Sequence, residues 1–316
     1  MGLALVFPGQ GSQSVGMGKA LADAFAPARR VFEEIDSALS QKLSDIIFEG
    51  PEPELTLTAN AQPALLAVSM AALAVLESEA GLDVARDVMF VAGHSLGEYS
   101  ALASARALSV SDAARLLRLR GQAMQRAVPV GRGAMAALLG LDLQTARQVA
   151  SDAGEQARGV CQVANDNGGG QVVVSGDREA VARAIELSKE RGAKRAILLP
   201  VSAPFHCSLM RPAADAMAAA LEEVDIRRPQ VPLVANVLAA PIESPAEIRT
   251  RLIEQVVGTV RWAESVAMMA DAGVETFYEI GAGKVLTGLL RRIVPTAKGV
   301  AIGAPGDLAA VTLQRV

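Results

Sequence analysis

Short apolar runs alternate with longer helical stretches along this chain, and that alternation limits its fold more than any other feature. Leu3–Phe7, Val88–Ala92, Ala196–Val201 and Thr276–Ile280 are apolar runs of five or six residues, each meeting a Gly- or Pro-marked turn. Asn60–Glu79, Ser111–Ala127, Met210–Val224 and Ala246–Val257, in contrast, have helical spacing. Ser244-Pro245-Ala246-Glu247 predicts a capping box, with Pro at the first helical position. Strands alternating with helices predict an α/β fold with a parallel sheet covered on both faces. Residues 128–199 depart from that pattern. They read as strand Ala134–Leu141, helix Leu143–Ala153, strands Gly159–Ala164 and Gln171–Ser175, helix Arg178–Arg191 and strand Arg195–Leu199. That βαββαβ order is ferredoxin-like. It predicts a small subdomain, 128–199, inserted into a larger unit made of 1–127 and 200–316.

A chain of 316 residues, 51% hydrophobic and 20% charged, is long and apolar enough to bury a core, which excludes disorder. Thirty basic residues against 34 acidic ones give a net charge of −4, so no global attraction to nucleic acid or an anionic membrane is expected. Cys161 and Cys207 are too few for a disulfide scaffold and fit a reducing cytoplasm. Met1–Phe7 lacks the basic start of a signal peptide. The apolar stretch Ala64–Leu76 falls short of the ~18 residues that suggest a membrane span. Two His and two Cys without ligand spacing predict no metal site. The Gly-rich segment Gly9–Ala20 fails both nucleotide motifs: Gln13 and Ala20 break a phosphate loop, and Ser14 and Leu21 break the dinucleotide fingerprint.

Gly93-His94-Ser95-Leu96-Gly97 directly follows the apolar run Val88–Ala92 and precedes a helical stretch from Glu98 to Arg106. A Gly-x-Ser-x-Gly between strand and helix is the context of a nucleophile elbow, in which a strained turn exposes the serine hydroxyl. Ser95 is therefore the candidate nucleophile, with the Leu96 N–H aimed at a developing oxyanion. Gly9-Gln10-Gly11 follows the first strand with little side-chain bulk, so its backbone can supply a second oxyanion donor. Of the two histidines, His94 should point away from its neighbour Ser95. His206 follows the run Ala196–Val201 and is the better general base.

The helix Ser111–Ala127 carries Arg120 in the middle of its apolar stripe, beside Ala113, Leu116, Leu117, Met124 and Ala127. A buried guanidinium keeps its proton and needs an anion. It is either a structural ion pair with an internal acid or a fork that binds a substrate carboxylate, and periodicity does not choose between them.

Several segments in series resemble the malonyl-CoA:acyl carrier protein transacylase family. They are Phe7-Pro8-Gly9-Gln10-Gly11-Ser12-Gln13, Gly93-His94-Ser95-Leu96-Gly97-Glu98-Tyr99-Ser100, Arg120-Gly121-Gln122-Ala123-Met124-Gln125, Gly133-Ala134-Met135-Ala136-Ala137, Pro200-Val201-Ser202-Ala203-Pro204-Phe205-His206, Gln255 and Glu279-Ile280-Gly281-Ala282-Gly283-Lys284-Val285-Leu286. The resemblance implies an α/β-hydrolase-like core whose ferredoxin-like insertion forms one wall of the cleft. It also implies a ping-pong reaction: Ser95 takes malonyl from malonyl-CoA with His206 as base, and the pantetheine thiol of holo acyl carrier protein then accepts it. In the family a backbone carbonyl near the position of Gln255 orients the histidine, and no carboxylate completes a triad. The resemblance further assigns the oxyanion donors to the Gln10 and Leu96 N–H groups, the malonyl carboxylate to Arg120, and a place near the cleft to Asn165.

Malonyl-CoA is a substrate in this scheme, no cofactor is expected, and the expected state is a cytoplasmic monomer serving fatty-acid biosynthesis. Three alternatives remain at this stage: a serine thioesterase or esterase, a stand-alone acyltransferase of a polyketide pathway, and a non-catalytic carrier-docking module. An acidic carrier needs local positive charge, for which Lys189, Arg191, Lys194 and Arg195, or Arg291 and Arg292, are candidates. Arg106 stands where the family usually has a small residue, and the tail from Pro295 carries no motif.

Overall fold

The computed structural model describes residues 2–312. Its strands are β1 (Gly2–Phe7), β2 (Phe90–Gly93), β3 (Gly133–Leu139), β4 (Cys161–Asp166), β5 (Gln171–Asp177), β6 (Arg195–Leu198), β7 (Leu233–Ala235), β8 (Ala240–Ile242), β9 (Val260–Arg261), β10 (Val274–Ile280) and β11 (Lys298–Ile302). Six of them form a sheet in the order β11-β10-β1-β2-β7-β8, parallel except for β8. β1 shows why the chain chose this arrangement. Leu3, Leu5 and Phe7 bury in one apolar cluster, while Ala4 and Val6 bury in another on the opposite face. A strand apolar on both sides belongs inside a covered parallel sheet.

The second sheet has the order β6-β3-β5-β4-β9. Its first four strands, with the helices Leu143–Ala157 and Arg178–Glu190, give the expected βαββαβ element order. They bury a core of their own, including Ala136, Leu138, Val149, Val174 and Ala184. β9 joins this sheet from outside the 128–199 segment, pairing parallel with β4 at Asn165↔Val260.

Of the two overlapping readings, the insertion strand Arg195–Leu199 forms, and the buried core strand Ala196–Val201 does not. Its ordered part, β6, is a partly exposed edge strand antiparallel to β3. β7 pairs with β2 in the large sheet instead, and at three residues it is too short to leave a pattern in the sequence. The capping box at Ser244 also does not form. The helix Pro245–Val257 starts there with Pro in its first turn, but no Ser244 side-chain cap is made.

The helix over Thr58–Ala80 runs 23 residues, the last turn being π-helical, with mean hydropathy 1.6. By length and composition it could cross a membrane, which the shorter Ala64–Leu76 run did not indicate; 89% of its most apolar window is buried inside the protein. A helix apolar all round needs such an enclosure. It packs closely against the helix Val110–Ala127, because a Cβ on Gly121 would lie 2.6 Å from the Thr58 carbonyl oxygen.

Arg106, unexplained by sequence, ends the helix Gly97–Ser104 in the left-handed region (φ 61°) and pairs with Glu77 of the π turn at 2.6 Å. The tail supplies β11 and a 3₁₀ turn, Pro305–Ala310; residues 313–316 lie outside the described residues.

Candidate active site

β1 and β2 pair in parallel as far as Phe7↔Gly93, so the loops leaving their carboxyl ends lie side by side. In an open α/β sheet this edge is where ligands bind. The turn after β2 is tight enough to require both of its glycines. A Cβ on Gly93 would sit 1.9 Å from the Gly97 carbonyl carbon, and one on Gly97 would sit 2.3 Å from the Phe7 carbonyl oxygen. Between them Ser95 adopts φ 54°, a left-handed conformation that costs a non-glycine residue ~1–3 kcal/mol. Neighbouring side chains hold that strain. The Ser95 N–H donates to Asn236 Oδ1 at 2.8 Å, and its carbonyl accepts from Gln255 Nε2 at 2.8 Å.

His206 is brought to this turn by the loop after β6. Its Nε2 is 2.7 Å from Ser95 Oγ, and its Nδ1 is 2.8 Å from the Gln255 carbonyl oxygen. A carbonyl only accepts, so Nδ1 carries the proton and Nε2 is free to receive the Ser95 hydroxyl proton. Gln255 lies in the last turn of the helix Pro245–Val257, where carbonyls lack intrahelical partners. The third member of the relay is therefore a helix C-terminal carbonyl, whose partial negative charge favours an imidazolium. Among the described residues no carboxylate meets Nδ1, so the Ser–acid–His triad of an α/β-hydrolase is not made there. Burial first, and the Arg120 charge second, lower His206 to about 3, so the resting imidazole is neutral.

Arg120 is 1% exposed and pairs with no carboxylate among the described residues. It donates through Nη1 to Gln62 Oε1 at 2.8 Å, and through Nη2 to Gln255 Oε1 at 2.8 Å and Ser95 Oγ at 3.1 Å. Its buried Nε has no partner. The structural ion pair that the sequence left open is not made. A permanent cation with no carboxylate partner among the described residues lies 3.1 Å from Ser95 Oγ, where an unpaired buried charge is costly.

Neither the Gln10 nor the Leu96 N–H has an intramolecular acceptor among the described residues. Leu96 is the N-cap of the helix Gly97–Ser104, so its N–H is one of the helix's orphan donors. The Gln10 side chain donates to Thr58 Oγ1 at 3.2 Å.

Asn165 is buried on β4 and makes no side-chain hydrogen bond to Ser95, His206 or Arg120. Its neighbour Asn167 meets His94 Nε2 at 2.9 Å, which accounts for the second histidine without giving it a part in the chemistry. Sequence reasoning missed Gln62, Glu98 and Asn236. Glu98 had a usable signal, because it is the one charged residue on a short helix, Gly97–Ser104, whose other side chains are all uncharged. Burial pushes it up to about 8, against the pull of its Asn236 and Gln255 donors and of Arg120. Among the described residues, no three His, Cys, Asp or Glu side chains form a metal-binding group.

A family model described as an acyl transferase domain matches residues 4–303. The chain is 48% identical to the malonyl CoA-acyl carrier protein transacylase of Bacillus subtilis strain 168, over 99% of this chain and 97% of that one. It is 45% identical to the Escherichia coli K12 protein of the same name, over 97% of each. Among solved structures, the acyl-carrier-protein-S-malonyltransferase of Bartonella henselae is 57% identical with a TM-score of 0.95, covering 98% of both chains. A structure of a type II PKS acyl-carrier protein in complex with its malonyl-transacylase holds a chain 42% identical, with a TM-score of 0.94 and 98% coverage of each.

Proposed function

The chain belongs to the acyl transferase domain family, and from that premise we propose that it moves malonyl from malonyl-CoA to the pantetheine thiol of acyl carrier protein. The observation that carries this reading is Arg120. It is buried, lacks a carboxylate partner and is bonded to the nucleophile's oxygen. An acyl group that ends in a carboxylate supplies the missing anion where the thioester must lie.

The steps follow from the hydrogen bonds. Ser95 Oγ attacks the thioester carbonyl as its proton passes to His206 Nε2. The Gln255 carbonyl and the end of its helix stabilise the imidazolium. The carbonyl oxygen, now an oxyanion, takes the free Gln10 and Leu96 N–H groups, while Arg120 turns its unbonded hydrogens to the distal carboxylate. Collapse expels the CoA thiolate, which recovers the proton from His206. The carrier's pantetheine thiol repeats the sequence on the malonyl-serine, giving its proton to His206 and leaving with the acyl group.

A groove of about 380 Å³ reaches Gln10 from the Pro200–Ser202 side, and supports approach by a long arm. The proposed setting is cytoplasmic fatty-acid biosynthesis, with no cofactor. Both basic patches named for the carrier are exposed, although Arg191 in the first is paired with Asp152.

Intact-protein mass spectrometry after mixing with malonyl-CoA tests the reading. A single malonyl adduct that disappears on adding holo acyl carrier protein is expected. A protein that hydrolyses malonyl-CoA without passing the group to the carrier contradicts the proposal.

A further inference from the structure

Glu98 is a buried acid to which the reaction above gives no part. It occupies the second position of the helix Gly97–Ser104 and is 1% exposed. Both of its oxygens accept short hydrogen bonds: Oε1 from the Asn236 backbone N–H at 2.5 Å, and Oε2 from Gln255 Nε2 at 2.5 Å. Those two partners are the residues that hold the strained Ser95 peptide. Asn236 Oδ1 receives the Ser95 N–H, and Asn236 Nδ2 donates to the Gly93 carbonyl at 2.7 Å. Gln255 Nε2 reaches the Ser95 carbonyl.

The Gln255 amide has a fixed polarity in this frame. Its nitrogen faces two acceptors, Ser95 O and Glu98 Oε2, and its oxygen faces the Arg120 guanidinium. Turning the amide over sets its N–H groups against a cation and its oxygen against a carbonyl. Glu98 is the group that makes the observed orientation the favourable one, since it presents an acceptor where a flipped amide would also present one.

We propose that Glu98 is a positioning residue for malonyl selectivity, acting through the Gln255 amide on Arg120 and through Asn236 on the Ser95 turn. This rests on the malonyl-transfer reading. An amide at position 98 keeps the shape but puts an NH2 where one of the two acceptors was. Facing Asn236, it meets an N–H and the turn loses an anchor. Facing Gln255, it drives the amide flip and takes from Arg120 one of its three acceptors. Arg120 then loses the orientation that a distal carboxylate needs, whereas an acetyl group, which makes no use of Arg120's charge, suffers only the change at Ser95.

The test compares rates of acyl-enzyme formation from radiolabelled malonyl-CoA and acetyl-CoA at a pH above 8, where Glu98 is ionised and both of its oxygens accept. Glu98→Gln is expected to lower the malonyl-to-acetyl rate ratio by about tenfold, the scale of one charge-assisted hydrogen bond. Glu98→Asp keeps an acceptor and is expected to slow both acyl groups while leaving the ratio within about twofold. Glu279→Gln is the control for damage to a buried acid. Glu279 anchors the N–H groups of Leu286 and Thr287 and shares no hydrogen bond with Ser95, Arg120, Gln255 or Asn236, so its loss should cost stability without moving the ratio. In the double variant with Arg120→Ala, Glu98→Gln should lower the ratio no further than Arg120→Ala alone.

An unchanged ratio in Glu98→Gln, or an additive double variant, overturns the proposal. Should Glu98→Gln fail to fold, Glu98→Ala decides: it removes both acceptors, so a lowered malonyl-to-acetyl ratio supports the proposal and an unchanged one overturns it. Absence of malonyl labelling in the unsubstituted protein sinks the functional reading itself, so the two failures are told apart.

Discussion

Replacing Arg120 with alanine removes the one buried cation that touches Ser95 Oγ, and its consequences for two acyl groups can be worked out separately. A malonyl group in the site keeps its carboxylate but loses the partner of a buried charge pair, a loss of ~2–5 kcal/mol. At ~1.36 kcal/mol per tenfold, kcat/KM for malonyl-CoA should fall by roughly 30-fold to several thousand-fold. Acetyl-CoA presents no carboxylate. It loses only the effect of the 3.1 Å Nη2–Oγ bond on the nucleophile, ~0.5–1.5 kcal/mol or about 2- to 13-fold. The malonyl-to-acetyl ratio should therefore drop, by about twofold where the smallest malonyl loss meets the largest acetyl loss and by more than about tenfold over most of the range. The substitution also leaves Gln62 Oε1 and Gln255 Oε1 without their donor, so thermal stability must be recorded alongside. The assay is the initial rate of acyl-enzyme formation from each CoA thioester, measured below the unfolding temperature of the variant. An equal fall for both acyl groups in a folded variant refutes the carboxylate role, because it means that Arg120 serves only to order the serine.

Ser95→Ala should abolish the malonyl adduct in intact-protein mass spectra while leaving the fold in place; an undiminished adduct removes Ser95 from the chemistry. Gly97→Ala places a Cβ 2.3 Å from the Phe7 carbonyl oxygen, so it should cost ~1–3 kcal/mol in urea unfolding and eliminate labelling together. Stability should also depend on pH in a way set by two buried groups of opposite sign. His206 falls from 6.5 to about 3, so over that window the unfolded chain binds the extra proton and stability drops as the pH falls, by up to ~1.4 kcal/mol per pH unit. Burial lowers His94 too and adds to this acid-side loss. Glu98 rises from 4.5 to about 8, so over its window the folded chain holds the extra proton and stability drops as the pH rises. His206 and Glu98 oppose each other between 4.5 and 6.5, leaving Glu98 alone from 6.5 to 8. Urea midpoints should fall across pH 6.5–8, and Glu98→Gln should flatten that limb; a limb that persists in the variant assigns it to another group.

What the sequence revealed, it revealed through periodicity and local crowding. The elbow could be read because a tight strand–turn–helix needs glycine at both 93 and 97, and the distances there show that no Cβ fits. Arg120 could be read because a charge in an apolar helical stripe is out of place at 3.6-residue spacing. His206 was reached by elimination, after a stretch that carried two overlapping strand readings, Ala196–Val201 among the buried strands and Arg195–Leu199 in the insertion. The run Ala196–Val201 is apolar enough for a core strand, yet tertiary pairing made it an edge of the smaller sheet. Gln255 came from the family resemblance alone, since nothing in Glu254-Gln255-Val256 says that its carbonyl will meet an imidazole. Asn236 left no trace because it follows a three-residue strand. Gln62 and Glu98 did leave one, of the same kind as Arg120, each being a polar side chain in a helix with no solvated face around it.

Those two residues complete the electrostatics of the site. Arg120, Gln255 and Glu98 form a chain in which an amide separates a cation from an acid: the guanidinium donates to the amide oxygen and the amide nitrogen donates to the carboxyl. A direct Arg120–Glu98 pair would neutralise the cation and leave it nothing to offer a substrate. With the amide between them, Glu98 steadies the site while Arg120 keeps an uncompensated charge beside Ser95 and His206. Burial first, and that charge second, hold His206 down. A carboxylate arriving at Arg120 cancels much of it, since opposite charges at contact in a dry site interact far more strongly than in water. That relieves only the part of the lowering that Arg120 causes and leaves the larger part, due to burial, in place. On the proposed reading, selectivity is therefore set by charge pairing at one guanidinium that no acid among the described residues contacts directly.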